Sequence, residues 1–343
     1  MKILFLSHNF YPFIGGIEII SEILASTFAN AGHEVHVITW TKDSPGEAFP
    51  FKVSRNPGIL KIFKAHAWAD LVFENNPCLR LAWPGIFFSR PSVIALHTWI
   101  SRSNGKLGVQ DRIKFRWLKR AHKVIAVSNA LRKSCWPNAT VLGNPYRAKE
   151  FRILSNISRT KDFVFLGRLV SDKGVDLAIK AIYEFKMGLN NSAASPSLTI
   201  VGDGPERTNL KRLVADLNME DSVIFTGPLS GSELVKCLNQ HRYLLVPSIW
   251  EEPFGVVVLE GIACGCIPIV SDGGGLPDAV GKAGITFRRG DVDDLIACIR
   301  NIYNNTKLEK ELLDFAASHL GVFHPDTIGR QYLDEIEGTL KTK

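Results

Sequence analysis

The 343 residues, 45% hydrophobic and 22% charged, exceed one ordinary core, suit two domains, and exclude a disordered or fibrous chain. No apolar run reaches the roughly 20 residues of a bilayer span; the run Leu81–Phe88 is broken by Pro84 and Gly85. The net charge of +7 is uneven: residues 1–150 hold 20 Lys+Arg against 9 Asp+Glu (+11), and the remainder 21 against 25 (−4). That asymmetry points to an anionic partner for the first half.

In chain order, MKILFLSHNF reads as a first strand and a poor secretory signal. Ile3–Leu6, Val35–Thr39, Leu71–Phe73, Val93–Leu96, Val124–Val127 and Thr140–Leu142 are short apolar runs bounded by turn residues, as buried parallel strands are. Ile17–Ala31 has helical spacing and stops at Gly32. The weakly periodic stretch Tyr146–Thr160 reads as a linker. The pattern then restarts with strands at Phe163–Leu166, Leu198–Val201, Val223–Phe225, Tyr243–Val246 and Ile267–Val270. Helices are expected near 174–187, 206–217, 231–240 and 255–264, and Asn190–Ser197 reads as a surface loop. Alternating strands and helices predict two Rossmann-like, doubly wound α/β domains with right-handed crossovers, facing each other across a cleft. The six cysteines show no C-x-x-C and are expected as reduced, buried thiols of a cytosolic protein, with Cys264 and Cys266 on opposite faces of a strand.

Ligands of open α/β sheets sit beyond the carboxyl ends of the strands, so residues just after strands are the candidates. Gly15-Gly16 precede the first helix, where a glycine backbone and free helix N–H groups suit a phosphate; a purely structural turn fits equally well. Dinucleotide binding is not supported, because Ser7–Gly16 has no G-x-G-x-x-G and Gly202-Asp203-Gly204 continues to Arg207. Gly167-Arg168 and Lys173-Gly174 place a planar fork and a point charge across one loop, which suits a polyanion; two solvated surface charges are the alternative. Pro247–Gly255 follows an apolar strand and opens a helix at Pro253. Glu252 stands at its mouth and Glu260 within it; two readings fit, carboxylates serving different parts of one ligand, to which sugar hydroxyls are natural donors, or Glu251 and Glu252 simply compensating the helix dipole. Gly273-Gly274-Gly275 is a further glycine loop after a strand.

Taken in order, these motifs resemble the family 4 retaining glycosyltransferases of the GT-B fold, with Glu252-x7-Glu260 the most specific element. The resemblance implies that Arg168 and Lys173 hold the diphosphate of a sugar nucleotide, and that Glu260 accepts the ribose hydroxyls. It implies Glu252 on hydroxyls of the transferred sugar, with the N–H groups of Phe254, Gly255 and Val256 on sugar and phosphate. Gly15 and Gly16 would approach the phosphates, Gly204 and Leu229 would lie near the base, and His97 matches the family's active-site histidine beside the donor sugar. The resemblance also sends the final helix, after Phe323, back to the first domain. The domains expected are 1–150 for the acceptor, 151–322 for the donor, and 323–343 for the returning helix.

Neither a metal nor another cofactor is expected, since Arg168, Lys173 and helix dipoles supply positive charge. Asp291-Val292-Asp293 reads as a helix N-cap, and His33 and His36 as residues at the start of a strand. Residues 102–133 hold ten Lys or Arg against Asp111 alone, with Ile113, Trp117 and Leu118 on one helical face. Two readings fit this segment: a surface helix packed on its own sheet, or a patch for an anionic membrane surface carrying a lipid-linked acceptor. No nucleic-acid module is visible. The function expected is metal-independent, retaining transfer from a nucleoside-diphosphate sugar to a glycan, lipid-linked or small-molecule hydroxyl, in the cytoplasm or on the inner membrane face. UDP is preferred to GDP on frequency alone. The alternatives are a sugar-nucleotide epimerase, a phosphorylase-like enzyme and a non-catalytic sugar-nucleotide binder.

Overall fold

The computed structural model describes residues 1–12, 15–42, 48–101, 107–189 and 195–341. It divides into two compact units: residues 1–145 with the final helix Pro325–Lys341, and residues 146–323. Residues 190–194 of the expected loop Asn190–Ser197, together with Arg102 and Lys106 of the basic segment, lie outside the described residues.

The first unit is a parallel sheet of β1 (Lys2–Ser7), β2 (Glu34–Thr39), β3 (Lys52–Arg55), β4 (Leu71–Asn75), β5 (Ser92–Leu96), β6 (Lys123–Ala126) and β7 (Thr140–Val141). The order is β3-β2-β1-β4-β5-β6-β7, so the sequence of strands reverses between β1 and β4. Ile3 to Leu6 are fully buried and both faces are covered, which is why these strands read as continuous apolar runs. Helix Gly16–Asn30 covers the sheet through Ile20, Leu24 and Phe28. Helix Pro325–Lys341 packs on that helix, where Gly329 lets the backbones close up: a Cβ there would lie 2.3 Å from Thr27 Cγ2. Tyr332 is buried there with its ring 6.0 Å from Phe73, and Lys123 pairs with Glu335 at 2.6 Å.

The second unit is a parallel sheet of β8 (Lys161–Leu166), β9 (Leu198–Val201), β10 (Val223–Gly227), β11 (His241–Val246), β12 (Ile267–Ser271) and β13 (Ile285–Phe287). Its order is β10-β9-β8-β11-β12-β13, with the reversal between β8 and β11. Phe163, Phe165, Ile200, Tyr243, Leu245 and Ile269 carry the core, against Ile179 and Ile182 of the helix Val175–Met187 and Ile299 and Ile302 of the helix Val292–Tyr303. Asp291 caps that last helix by accepting from Asp294 N at 2.9 Å, as its sequence indicated. Cys264 and Cys266 depart from expectation, and on a strand residues two apart would share a face in any case. They flank the turn from the helix Val256–Ala263 into β12 instead of sharing a strand, and both are buried free thiols.

Candidate active site

The two connections at the switch point of the second sheet carry the charged candidates. After β8 runs Gly167–Gly174, and after β11 runs Pro247–Gly255. Backbone bonds from Ile249 N and Trp250 N to Asp172 O, at 2.9 and 3.0 Å, tie the two together. Gly174 makes this closeness possible. Its φ is +66°, and a Cβ would lie 2.0 Å from Pro247 O, so any other residue forces the connections apart.

Lys173 Nζ contacts Glu252 Oε1, and the same oxygen accepts Ser248 Oγ at 2.8 Å. The ammonium lies 5.3 Å from the Trp250 ring centroid, so one cation is held by a carboxylate and an aromatic face. Ser248 is itself anchored, its carbonyl accepting Ser271 Oγ at 2.7 Å. The glycine loop supports Glu252 from below: Gly275 N donates to Glu252 O at 2.7 Å, and a Cβ on Gly274 would fall 2.2 Å from the same oxygen. These glycines are required by packing inside the unit, whatever binds above them.

Gly255, at φ +103°, then opens the helix Val256–Ala263, whose first N–H groups have no intrahelical acceptors. Phe254 is buried against Phe323, with ring centroids 5.5 Å apart. Glu260 stands one turn into this helix and is buried. Burial pushes its carboxyl pKa up, and Arg147 opposes that shift. Arg147 Nε donates to Glu260 Oε1 at 3.0 Å.

Arg168 shares the β8 connection but is exposed, and its guanidinium forms no ion pair with the described residues. The structure therefore brings together Lys173 and Glu252, and leaves Arg168 apart from that contact. Gly204 packs on the same connection, since a Cβ would sit 2.3 Å from Leu169 O. Leu229 lies, half-buried, in the connection after β10.

In the first unit, Gly15 is the N-cap of the helix Gly16–Asn30. A Cβ on Gly16 would meet nothing within 4 Å, so nothing in the described residues demands a glycine there. His97 follows β5 and is buried. Its Nδ1 is 2.9 Å from Asn144 Oδ1 and its backbone N donates to Asn76 Oδ1 at 2.7 Å. A carbonyl oxygen only accepts, so with Asn144 Oδ1 facing it Nδ1 carries the proton, and Nε2, which has no partner among the described residues, is the acceptor. Burial lowers the His97 pKa to about 4, making the ring neutral at pH 7.

The sequence reading missed Asn144, Arg147 and Ser248, which hold His97, Glu260 and Glu252. It also set Ile113 beside Trp117. In the structure Trp117 turns inward and donates to the buried Glu74 at 2.8 Å, while Ile113 is half exposed. Among the described residues no group of three or more His, Cys, Asp or Glu is placed to hold a metal ion, and no helix is long and apolar enough to cross a membrane.

Two parallel Rossmann-like sheets with this switch-point site define a class, the GT-B glycosyltransferase architecture. Anabaena HepE in complex with UDP has the same fold, with TM-score 0.83 at 20% identity over 98% of this chain and all of that one. Sucrose-phosphate synthase from Thermosynechococcus elongatus matches with TM-score 0.80 at 20% identity over the whole of both chains. Residues 147–318 match the family described as Glycosyl transferases group 1, and residues 14–137 match Glycosyltransferase Family 4. The chain belongs to the group 1 glycosyl transferases, with an N-terminal unit of the family 4 type. D-inositol 3-phosphate glycosyltransferase of Acidothermus cellulolyticus is 29% identical over 79% of this chain. An uncharacterized glycosyltransferase of Methanocaldococcus jannaschii is 26% identical over 91% of it. The chain spans 66% of the first relative's length and 91% of the second's.

Proposed function

We propose that the protein transfers a sugar from a nucleoside-diphosphate sugar to an acceptor hydroxyl, with retention of configuration and without a metal ion. The observation that carries this is the Lys173–Glu252 pair at the head of the helix Val256–Ala263, with Glu260 buried one turn further on. In this reading Lys173, Arg168 and the opening N–H groups of the helix hold the diphosphate and neutralise it as it leaves. Glu252 accepts hydroxyls of the transferred sugar and Glu260 those of the ribose, while Gly204 and Leu229 border the base. Gly16, whose missing side chain fills no space, admits a phosphate close to the backbone.

His97 is neutral and presents a bare Nε2, so its role is to accept a hydrogen bond from a sugar hydroxyl, not to supply charge. The acceptor hydroxyl then attacks from the face the diphosphate leaves, and a diphosphate oxygen takes its proton. UDP is the preferred carrier; HepE, of the same fold, is described in complex with UDP and glucose.

The acceptor we propose is a glycan, a lipid-linked species or a small molecule. The helix Val109–Leu118 supports the lipid-linked case: Val109 is 75% and Ile113 50% exposed, beside the exposed Arg112 and Arg116. Such a surface suits an anionic bilayer.

Lys173→Ala and Glu252→Ala are each expected to lower transfer by at least about 100-fold, the scale of losing one charged transition-state contact, with unchanged circular dichroism. Donor turnover that survives both substitutions would remove this assignment.

A further inference from the structure

We propose that Arg147 is a positioning residue for donor binding: it holds one oxygen of the Glu260 carboxylate and leaves the other facing the ribose diol of a nucleoside diphosphate. The inference rests on the donor-site reading above and adds a residue to which that reading gives no part.

The guanidinium of Arg147 is fixed on three sides. Its Nε donates to Glu260 Oε1 at 3.0 Å, its Nη1 donates to Glu150 Oε2 at 2.8 Å, and its Cζ lies 4.5 Å from the ring centroid of the buried Phe151. Glu150 and Phe151 follow Arg147 in the same turn, so the group is set in place by its own segment before any ligand arrives. The contact with Glu260 uses Nε alone. A two-bond fork would occupy both carboxylate oxygens, whereas here Oε2 has no partner among the described residues.

The electrostatics give the contact a purpose. Burial disfavours the ionised form of Glu260, and Glu150 adds a like charge; Arg147 is the cation that opposes both. Ionised, the carboxylate is an acceptor at every lone pair and binds hydroxyl donors more strongly than a protonated acid does. Lysine keeps the charge but cannot engage Glu150, Glu260 and the Phe151 face from one planar group.

The test is calorimetric titration of the full chain with UDP and GDP, followed by the 2′,3′-dideoxy form of whichever binds more tightly. Arg147→Met is expected to weaken the ribonucleotide by about tenfold or more, the scale of one charge-assisted hydrogen bond. The dideoxy nucleotide, which has no diol to present, is expected to bind wild type and variant within about twofold. Arg147→Lys is expected to fall between wild type and Arg147→Met, and it carries the comparison if the methionine variant does not fold. Equal losses for both nucleotides would reduce Arg147 to a structural ion pair. Unchanged or tighter binding of the ribonucleotide would show that Arg147 is dispensable or competes with ribose. Failure of the donor reading looks different: wild type binds neither nucleotide, or Glu260→Ala binds them as wild type does.

Discussion

His97, His36 and His241 are buried, and burial lowers each imidazole pKa from 6.5 to about 4. Glu74 moves the other way, with burial raising its carboxyl from 4.5 to about 7 against hydrogen bonds from Trp117 and Cys78. The signs are opposite in their effect on stability. Between pH 6.5 and about 4 the unfolded chain protonates the histidines and the folded chain does not, so acid removes stability, on the order of 3 kcal/mol per group. Between pH 4.5 and 7 folded Glu74 retains a proton that the unfolded chain releases, so rising pH removes stability there. Stability is therefore expected to climb from pH 4 to 6.5, and to climb more steeply in Glu74→Gln. Denaturant melts across that range check this; parallel curves for the two proteins would contradict it.

The same residues show what the sequence could and could not display. Lys173 and Glu252 stand in connections that follow strands, Glu260 lies in the next helix at the spacing its motif sets, and His97 was marked by the family resemblance, so all four were candidates in the sequence. Asn144, Arg147 and Ser248 hold His97, Glu260 and Glu252 through contacts 47, 113 and 4 residues apart, with no pattern in composition or period to reveal them. Asn144 and Arg147 stand three residues apart where the chain passes from one unit to the other, so one short stretch of chain holds a candidate side chain in each.

At the level of elements, the central strands were readable and two edge strands were not. β3 (KVSR) and β13 (ITF) end their sheets, and each lacks the continuous apolar run that burial on both faces imposes. The helix Ile59–Trp68 was also unread, its periodicity blurred by Ile59 and Leu60, which are exposed. The final helix is held mainly by its apolar face: Ile328, Tyr332 and Ile336 are buried. The Tyr332 hydroxyl is buried without a partner among the described residues, so the ring stabilises while the oxygen does not. Tyr332→Phe is expected to leave stability unchanged or raise it, and Tyr332→Ala to lower it by about 3–5 kcal/mol. Chemical denaturation separates the two, and a large loss in Tyr332→Phe would contradict this account of the helix.

For the molecule as a whole, the charge asymmetry has a structural counterpart. The excess of +11 lies in residues 1–150, whereas the residues proposed to bind the donor diphosphate, Arg168 and Lys173, belong to the mildly acidic remainder. Lys173, moreover, is already paired with Glu252. The proposed function therefore gives the basic surface of the first unit to the acceptor, and leaves the donor to a small, local set of charges.

The central claim is that Lys173, Glu252 and Glu260 form the site of a nucleoside-diphosphate sugar. Its most direct test is the melting temperature of wild type and Glu260→Ala against a panel of UDP- and GDP-sugars. Ligand at about 100 times Kd stabilises by roughly 2.7 kcal/mol, enough to raise a melting temperature by a few degrees. At least one sugar nucleotide is expected to produce that rise in wild type and to lose most of it in Glu260→Ala. No rise with any donor, or an equal rise in the variant, would contradict the claim.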